Sequence, residues 1–128
     1  SQFVILPETI SKEPLGPSVP QGDDDWWGIM SWVVYALFFA EERGITSQNV
    51  DEFLESEDPE IQRFLGVTEG LGSMAGLDDK WAYNAIKQVG NYEELFERHL
   101  GPDTPLGLSR GLNKPWTEGG LLYAPPFR

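Results

Sequence analysis

Cysteine is absent from this 128-residue chain, and histidine occurs only once, as His99. The first absence excludes disulfides, thiol nucleophiles and Cys-ligated zinc, and the second excludes a metal site built on two imidazoles within the chain. We expect no cofactor. Basic residues are also few: 9 Lys and Arg stand against 21 Asp and Glu, for a net charge of −12. Phosphate contacts need clustered cations, so this balance argues against nucleic-acid partners and anionic membrane surfaces.

Long hydrophobic runs are missing too. The most apolar stretch, Trp26 to Ala40, has 15 residues and no basic flanks, whereas a bilayer-spanning helix needs about 20. No membrane insertion is expected. The stretch is apolar on every face, which is typical of a helix covered on most sides. We predict a core helix from about Asp24 to Arg43, with an N-cap among residues 23–25 and an end at Gly44.

The rest of the chain is punctuated by helix start signals. Capping pairs, an Asp-Pro dipeptide and an acidic run each precede apolar residues at helical spacing. Four more helices are predicted to begin at Asn49 with Glu52, Asp58-Pro59, Leu77-Asp78-Asp79, and Asn91 with Glu94. The glycine-rich stretch from Gly66 to Gly76 lacks the Lys-Ser/Thr of a phosphate-binding loop. It predicts either a flexible loop or a close-packed turn.

The N-terminal region has a different pattern. Phe3 to Leu6 is a continuous apolar run ending at Pro7, which predicts a buried strand. A second short strand is predicted near Leu15 to Val19. The predicted fold is therefore mainly α with one or two short N-terminal strands. Three regions are predicted: a strand and connection over 1–22, a helical region over 23–101, and an irregular Pro/Gly-rich tail over 102–128.

Residues able to carry chemistry occur, but none forms a recognisable catalytic motif. Residues 23–25 are three aspartates that lack the spacing of a calcium loop, which favours a helix cap over a cation site. His99 has no nucleophile motif near it, and Arg110 is a weak single signal for a carboxylate. Each of the two remaining candidates has a simpler structural explanation. A ligand pocket could be lined by four aromatic residues, but aromatic residues at helical spacing more often belong to a core: Trp26, Trp27, Trp32 and Tyr35. An acid–base pair could come from four acidic residues, but such a cluster is more often a solvated face: Glu55, Glu57, Asp58 and Glu60.

Several stretches match one family in order along almost the whole chain. They run from Ile5 to Pro17 with Gly22 to Asp24, then 40–47, 77–83, 87–92, 105–106, 110–113 and 119–126. They resemble the C-terminal third of periplasmic amino-acid-binding proteins of ABC transporters, and especially the general L-amino-acid-binding branch. The chain departs from the family pattern at Pro20 and Pro115.

The resemblance implies the C-terminal segment of a two-lobed, type II periplasmic-binding-protein α/β fold. Residues 1–22 would hold the last strand of lobe two and the crossover near Lys12 to Leu15, and the helices would return to lobe one. It implies a non-catalytic solute-binding protein for amino-acid transport, located in the periplasm and docking on a membrane permease. The family's ligand contacts lie upstream of the matching region, so the ligand-binding residues stay unknown. The chain shows neither an initial Met nor a signal peptide, and we expect a truncated piece.

A helix so rich in apolar residues needs neighbours, because burying each large side chain contributes roughly 1.5–3 kcal/mol. We expect the chain to form homo-oligomers, including by helix exchange between copies. The predicted interface is Trp26, Trp27, Met30, Trp32, Val33, Phe38 and Phe39. Alternatively, the tail over 103–128 covers the helix. Two other functions remain open from the residues alone: a stand-alone helical interaction domain using its apolar helix as an oligomerisation face, and a hydrolase using Asp or Glu pairs.

Overall fold

The computed structural model describes Leu6, Glu8, Ile10, Ser11 and residues 15–127. Over these residues the regular structure is helical, and no β-strand is present. The elements in chain order are α1 (Asp24–Glu42), a 3-10 helix (Glu52–Glu55), α2 (Pro59–Phe64), α3 (Leu71–Met74), α4 (Trp81–Val89), α5 (Tyr92–His99) and a second 3-10 helix (Trp116–Glu118). The mainly helical prediction is confirmed.

Neither of the predicted N-terminal strands is found among the described residues. The run from Phe3 to Leu6 lies outside the described residues except for Leu6, which is exposed and in no strand, and residues 12–14 of the predicted crossover also lie outside them. The strand predicted near Leu15 to Val19 is wrong, because this segment is described and is not a strand. A strand requires a hydrogen-bonded partner, and proline donates no N–H to a ladder. Within the described residues, an isolated parallel β-bridge joins Pro115 and Leu122.

Helix α1 begins and ends as its flanking residues predict. The Asp23 side chain accepts a hydrogen bond from the Trp26 backbone N–H at 3.0 Å, and two further aspartates occupy the first turn. These carboxylates face the positive end of the helix dipole. The helix ends at Glu42, and Gly44 follows with a φ of 67°. Among the described helices, none combines the length and the hydropathy needed to cross a bilayer.

Two of the other start signals work as predicted. At α5, Asn91 Oδ1 accepts from the Glu94 N–H at 2.9 Å, and Glu94 Oε2 accepts from the Asn91 N–H at 2.8 Å. This is a complete capping box. At α2, Asp58 accepts from the Glu60 N–H at 2.8 Å.

The other two signals act only in part. Asn49 does not cap a helix, because its Oδ1 accepts from the Thr46 N–H at 2.7 Å, and only the four-residue 3-10 helix follows. The helix predicted from Leu77-Asp78-Asp79 does form as α4, and Asp78 Oδ1 accepts from the Lys80 N–H at 2.8 Å. The N-cap position is Lys80, which makes no side-chain capping bond. Asp79 is occupied elsewhere, as described below.

The core lies against the C-terminal half of α1. This helix packs on α4 and α5, and aromatic rings from distant parts of the chain meet there. Phe39 and Phe64 lie 4.7 Å apart between ring centroids, and Phe127 lies 4.9 Å from Phe64. The buried cluster is Ala36, Phe39, Ala40, Ile45, Val50, Ile61, Phe64, Leu65, Ala82, Ile86, Ala124 and Phe127.

Glu94 joins the capping box to the loop after α1. Its carboxylate accepts from the Ser47 hydroxyl at 2.6 Å and from the Ser47 backbone N–H at 3.0 Å, as well as from Asn91. Partial burial alone would raise the pKa of Glu94. The hydrogen bonds from Ser47 and Asn91 outweigh that effect and hold the pKa below its ordinary value of 4.5. The ionised form is therefore favoured in the folded state.

We expect Glu94→Gln to lower the free energy of unfolding at pH 7 by about 1–2 kcal/mol. A depressed carboxyl pKa contributes stability above the unfolded-state pKa, and this contribution is lost as pH falls through the folded-state value. The difference between wild type and Glu94→Gln should therefore shrink below about pH 4. Urea unfolding at pH 7, 5 and 3.5 measures this, with the exposed Glu57→Gln as control. A difference that is constant with pH would contradict the assignment.

Candidate functional site: an exposed aromatic face on helix α1

Burial changes along α1. Its C-terminal half enters the core, whereas its N-terminal half is open. Trp26 and Trp27 are 45% and 63% exposed, and Met30 and Val33 are half-buried beside them. We call these four residues the aromatic face. Two adjacent, partly exposed tryptophans beside half-buried apolar side chains are typical of a contact surface.

The predicted interface included three residues that the structure places differently. Trp32 is 40% exposed but lies on another side of α1, where it packs on Phe127 with ring centroids 5.3 Å apart. Phe38 packs edge-to-face on Tyr92 with ring centroids 5.0 Å apart. Phe39 is buried among the rings of Phe64 and Phe127. Both phenylalanine side chains are used by the chain's own core, so a proposal about an interface depends on the aromatic face alone.

Two concave surfaces flank the aromatic face. A shallow hollow of about 160 Å³ lies between Pro17 and Val19 on one side and Trp27, Met30 and Tyr35 on the other. A larger hollow of about 320 Å³ lies on the opposite flank, between α1, the glycine-rich turn and the chain terminus. Its wall is formed by Trp32, Leu71, Met74, Leu77, Trp81 and Phe127. Both hollows are suited to apolar side chains or ligand groups.

The tail covers only one half of α1. Phe127 packs on Phe39 at 5.0 Å and on Trp32 at 5.3 Å, and Arg110 reaches Glu41 near the C-terminal end of the helix. Trp26 and Trp27 stay exposed. The predicted alternative, in which the tail covers the helix, therefore holds for the C-terminal half and fails for the N-terminal half.

Arg110 does hold a carboxylate, but it is the chain's own. Its Nη2 donates to Glu41 Oε1 at 2.7 Å, and the two side chains are 12% and 6% exposed. The guanidinium also lies over the Tyr92 and Phe96 rings, at 5.6 and 5.4 Å from their centroids. Burial raises the pKa of Glu41, and Arg110 opposes that rise only in part. The pair fixes the tail to α1 and α5.

The remaining sequence candidates have structural roles. Asp23 is the N-cap of α1, and Asp58 and Glu60 pair with Arg43 at the surface. Exposed His99 accepts a hydrogen bond from Arg98 at 3.3 Å. In the part of the chain that the structure describes, no group of three or more His, Asp or Glu side chains is placed to hold a metal ion.

One organising residue was missed by sequence reasoning. Asp79 Oδ1 accepts from the backbone N–H groups of Gly70, Gly72 and Ser73 at 3.0, 2.9 and 3.2 Å. These bonds lower the pKa of Asp79 below its ordinary value of 3.8. A Cβ on Gly72 would clash with the Asp78 carbonyl oxygen. The glycine-rich stretch is thus a close-packed turn, and the aspartate pair just after it was the available signal.

Comparison with known proteins gives this arrangement a context. No protein-family model matches the chain. It is 56% identical over 129 aligned residues to the general L-amino acid-binding periplasmic protein AapJ of Rhizobium johnstonii, an alignment that covers 99% of this chain. This chain is also 54% identical, over the whole of its own length, to the glutamate/glutamine/aspartate/asparagine-binding protein BztA of Rhodobacter capsulatus. The chain is homologous to part of these binding proteins. It spans 38% of the length of each.

A solved structure agrees. The ABC transporter/periplasmic binding protein from Brucella ovis with glutathione bound superimposes with a TM-score of 0.91 at 50% sequence identity, covering 98% of this chain and 40% of that one. The resemblance read from the sequence is confirmed, and the fold is that of a part of a periplasmic binding protein. The relatives are named as binding proteins, and none is named as an enzyme.

Proposed function

We propose that the chain is part of a periplasmic solute-binding protein for amino-acid transport, with a permease as its membrane partner and no catalytic role. The observation that carries the proposal is 54–56% identity to two amino-acid-binding proteins across 99–100% of the chain. The TM-score of 0.91 to a periplasmic binding protein with 50% sequence identity supports it as well. These comparisons do not favour the alternative of a stand-alone helical interaction domain.

The ligands named for the relatives share one chemical group. L-Amino acids and glutathione each carry an amine and a carboxylate on the same carbon, which a binding site grips with a cation and an acid. Arg110 is not available for this task because it is paired with Glu41. As the family resemblance implies, we propose that the ligand contacts lie in the part of such a protein that this chain does not span. The isolated chain should bind amino acids weakly or not at all.

We propose that this chain contributes an apolar packing surface to a whole binding protein. The aromatic face, with its flanking hollow at Pro17 and Val19, presents apolar surface beside the buried core. In a whole binding protein we propose that this surface packs against the remainder of the same polypeptide. Burying the parts of Trp26 and Trp27 that are still exposed, about half of each side chain, contributes roughly 2–3 kcal/mol at about 1.5–3 kcal/mol for a fully buried side chain.

A chimera tests the function. This chain replaces the matching segment of AapJ, and calorimetry measures binding of a panel of L-amino acids and glutathione. We expect binding with a stoichiometry near one for the chimera, and weak or no binding for the 128-residue chain alone. A second chimera carrying Trp26→Gln and Trp27→Gln should fold less stably, and one carrying Leu106→Gln and Leu121→Gln, also exposed, serves as its control. A folded chimera that binds no amino acid or glutathione would contradict the proposal.

In isolation the chain is proposed to cover its aromatic face with a second copy. Exchange of α1 between copies is one route, because an exchanged helix buries the same apolar surface. The net charge of −12 opposes close approach of two copies, and this repulsion is screened by salt. Association should therefore strengthen with ionic strength.

We expect sedimentation velocity of the 128-residue chain to show concentration-dependent association that increases between 20 and about 200 mM salt, where the Debye length falls below about 10 Å. Trp26→Gln with Trp27→Gln should shift the chain towards monomer, because it removes two exposed indoles from the aromatic face. Leu106→Gln with Leu121→Gln should not. A wild-type chain that is monomeric at every concentration and salt would contradict this proposal.

A further inference from the structure

The larger hollow beside α1 is lined by three aromatic rings, those of Trp32, Trp81 and Phe127. The ring centroids of Trp32 and Phe127 lie 5.3 Å apart, and those of Trp81 and Phe127 lie 6.4 Å apart. The volume of the hollow is about 320 Å³, which is near the lower end of the volumes found for small-molecule binding sites. Aromatic faces attract cations as well as apolar groups, and quaternary ammonium groups are bound in this way.

The wall of this hollow is held in place. Leu71, Met74 and Leu77 belong to the glycine-rich turn and line the hollow, and the three backbone hydrogen bonds to Asp79 fix that turn. The backbone at Gly72 packs so closely on the segment before α4 that an added Cβ would clash with the Asp78 carbonyl oxygen. A wall built from such a hydrogen-bonded, close-packed turn is preorganised, which lowers the cost of binding.

The mouth of the hollow is acidic. An adjoining open pocket shares Trp32 and Met74 with it and is bounded by Asp24 and Asp25. No Lys, Arg or His is among the described residues that line either pocket. The two aspartates therefore make the electrostatic potential at the mouth negative, and the chain's net charge of −12 strengthens it.

From the aromatic lining and the acidic mouth together we infer that this hollow binds a small organic cation with an apolar body, such as an aryl or alkyl quaternary ammonium. The apolar body enters among the rings, and the cationic group lies towards Asp24 and Asp25. A free amino acid is a poor occupant, because its carboxylate would meet two aspartates without a cation to pair with it. The site is therefore separate from the amino-acid site proposed above and does not depend on that proposal.

Benzyltrimethylammonium is the probe for the test, with phenylacetate and benzyl alcohol as its anionic and neutral counterparts. Calorimetry gives the affinity of the 128-residue chain. NMR of the indole N–H signals, assigned from Trp→Phe variants, locates the site. We expect saturable binding of the cation, shifts at Trp32 and Trp81, and much weaker binding of both counterparts. Asp24→Asn with Asp25→Asn should weaken binding about tenfold, whereas the equally charge-changing Glu55→Gln with Glu57→Gln should not.

Asp24 and Asp25 also lie in the first turn of α1, so their replacement could act by destabilising the helix. A second variant therefore distinguishes loss of the binding site from loss of helix stability. Ala75→Trp places a large side chain at the shared edge of the two pockets and should abolish cation binding while circular dichroism stays that of wild type. The inference is overturned if phenylacetate binds as well as the cation, if the shifts fall on Trp26 and Trp27 instead, or if neither variant weakens binding more than the Glu55/Glu57 control.

Discussion

Replacing Phe127 by alanine should lower the free energy of unfolding by about 3–5 kcal/mol, in the range of large-to-small substitutions in a core. The ring is only 3% exposed. It contacts the rings of Phe39 and Phe64 at 5.0 and 4.9 Å, and it also lies against Trp32 and Trp81. Its loss would open a cavity where α1, α2 and α4 meet, and the surrounding rings cannot all move to fill it.

Chemical unfolding followed by far-UV circular dichroism measures this change. Leu121→Ala is the control, because it shortens a side chain in the same tail that is 69% exposed. The control should change stability by less than about 0.5 kcal/mol. A loss of less than about 1 kcal/mol for Phe127→Ala would show that the end of the tail does not complete the core.

Replacing Arg110 by methionine should lower the free energy of unfolding by about 3–5 kcal/mol at pH 7, as expected when one member of a buried ion pair is removed. The Glu41 carboxyl group would be left in a buried position with no cation to pair with it. In the described structure its Oε2 already lacks a hydrogen-bond partner. The surface variant Arg43→Met is the control, since its partners Asp58 and Glu60 are solvent-accessible and such pairs contribute about 0–1 kcal/mol.

Two further measurements test the cause. The double variant Arg110→Met, Glu41→Leu should be more stable than Arg110→Met alone, because no unpaired charge remains. The pKa of Glu41 is raised in the folded state, and without Arg110 it should rise further. A raised carboxyl pKa makes the folded state more stable as pH falls through that value. The deficit of Arg110→Met should therefore be smaller near pH 4 than at pH 7; an equal deficit at both would contradict the buried-charge explanation.

Local signals predicted the helices well where nothing competed with them. Asp23 and the Asn91–Glu94 pair cap their helices because each side chain reaches the free N–H groups of its own first turn. Asn49 has the same spacing to Glu52, yet its side chain is taken by the Thr46 N–H. Asp79 similarly binds the turn from Gly70 to Ser73 instead of α4. Both misses arise from competing partners a few residues upstream, which a capping pattern does not register.

The aromatic face was predicted in part. The composition of α1 indicates that apolar side chains surround it, and Trp26 and Trp27 are indeed left open. Which half of the helix would be covered could not be read from the sequence, because the covering groups are distant. Arg110 contacts Glu41 across 69 positions, and Phe127 approaches Phe39 from the end of the chain. No local periodicity encodes such contacts.

Hydroxyl-radical footprinting of Trp27 tests most directly whether the aromatic face is an interface with the rest of a binding protein. Oxidation is compared between the 128-residue chain, dilute enough to be monomeric, and the AapJ chimera. Buried Phe64 serves as the internal reference and should be protected in both. We expect Trp27 to be oxidised rapidly in the isolated chain and strongly protected in the chimera. Equal oxidation in a correctly folded chimera would contradict the account.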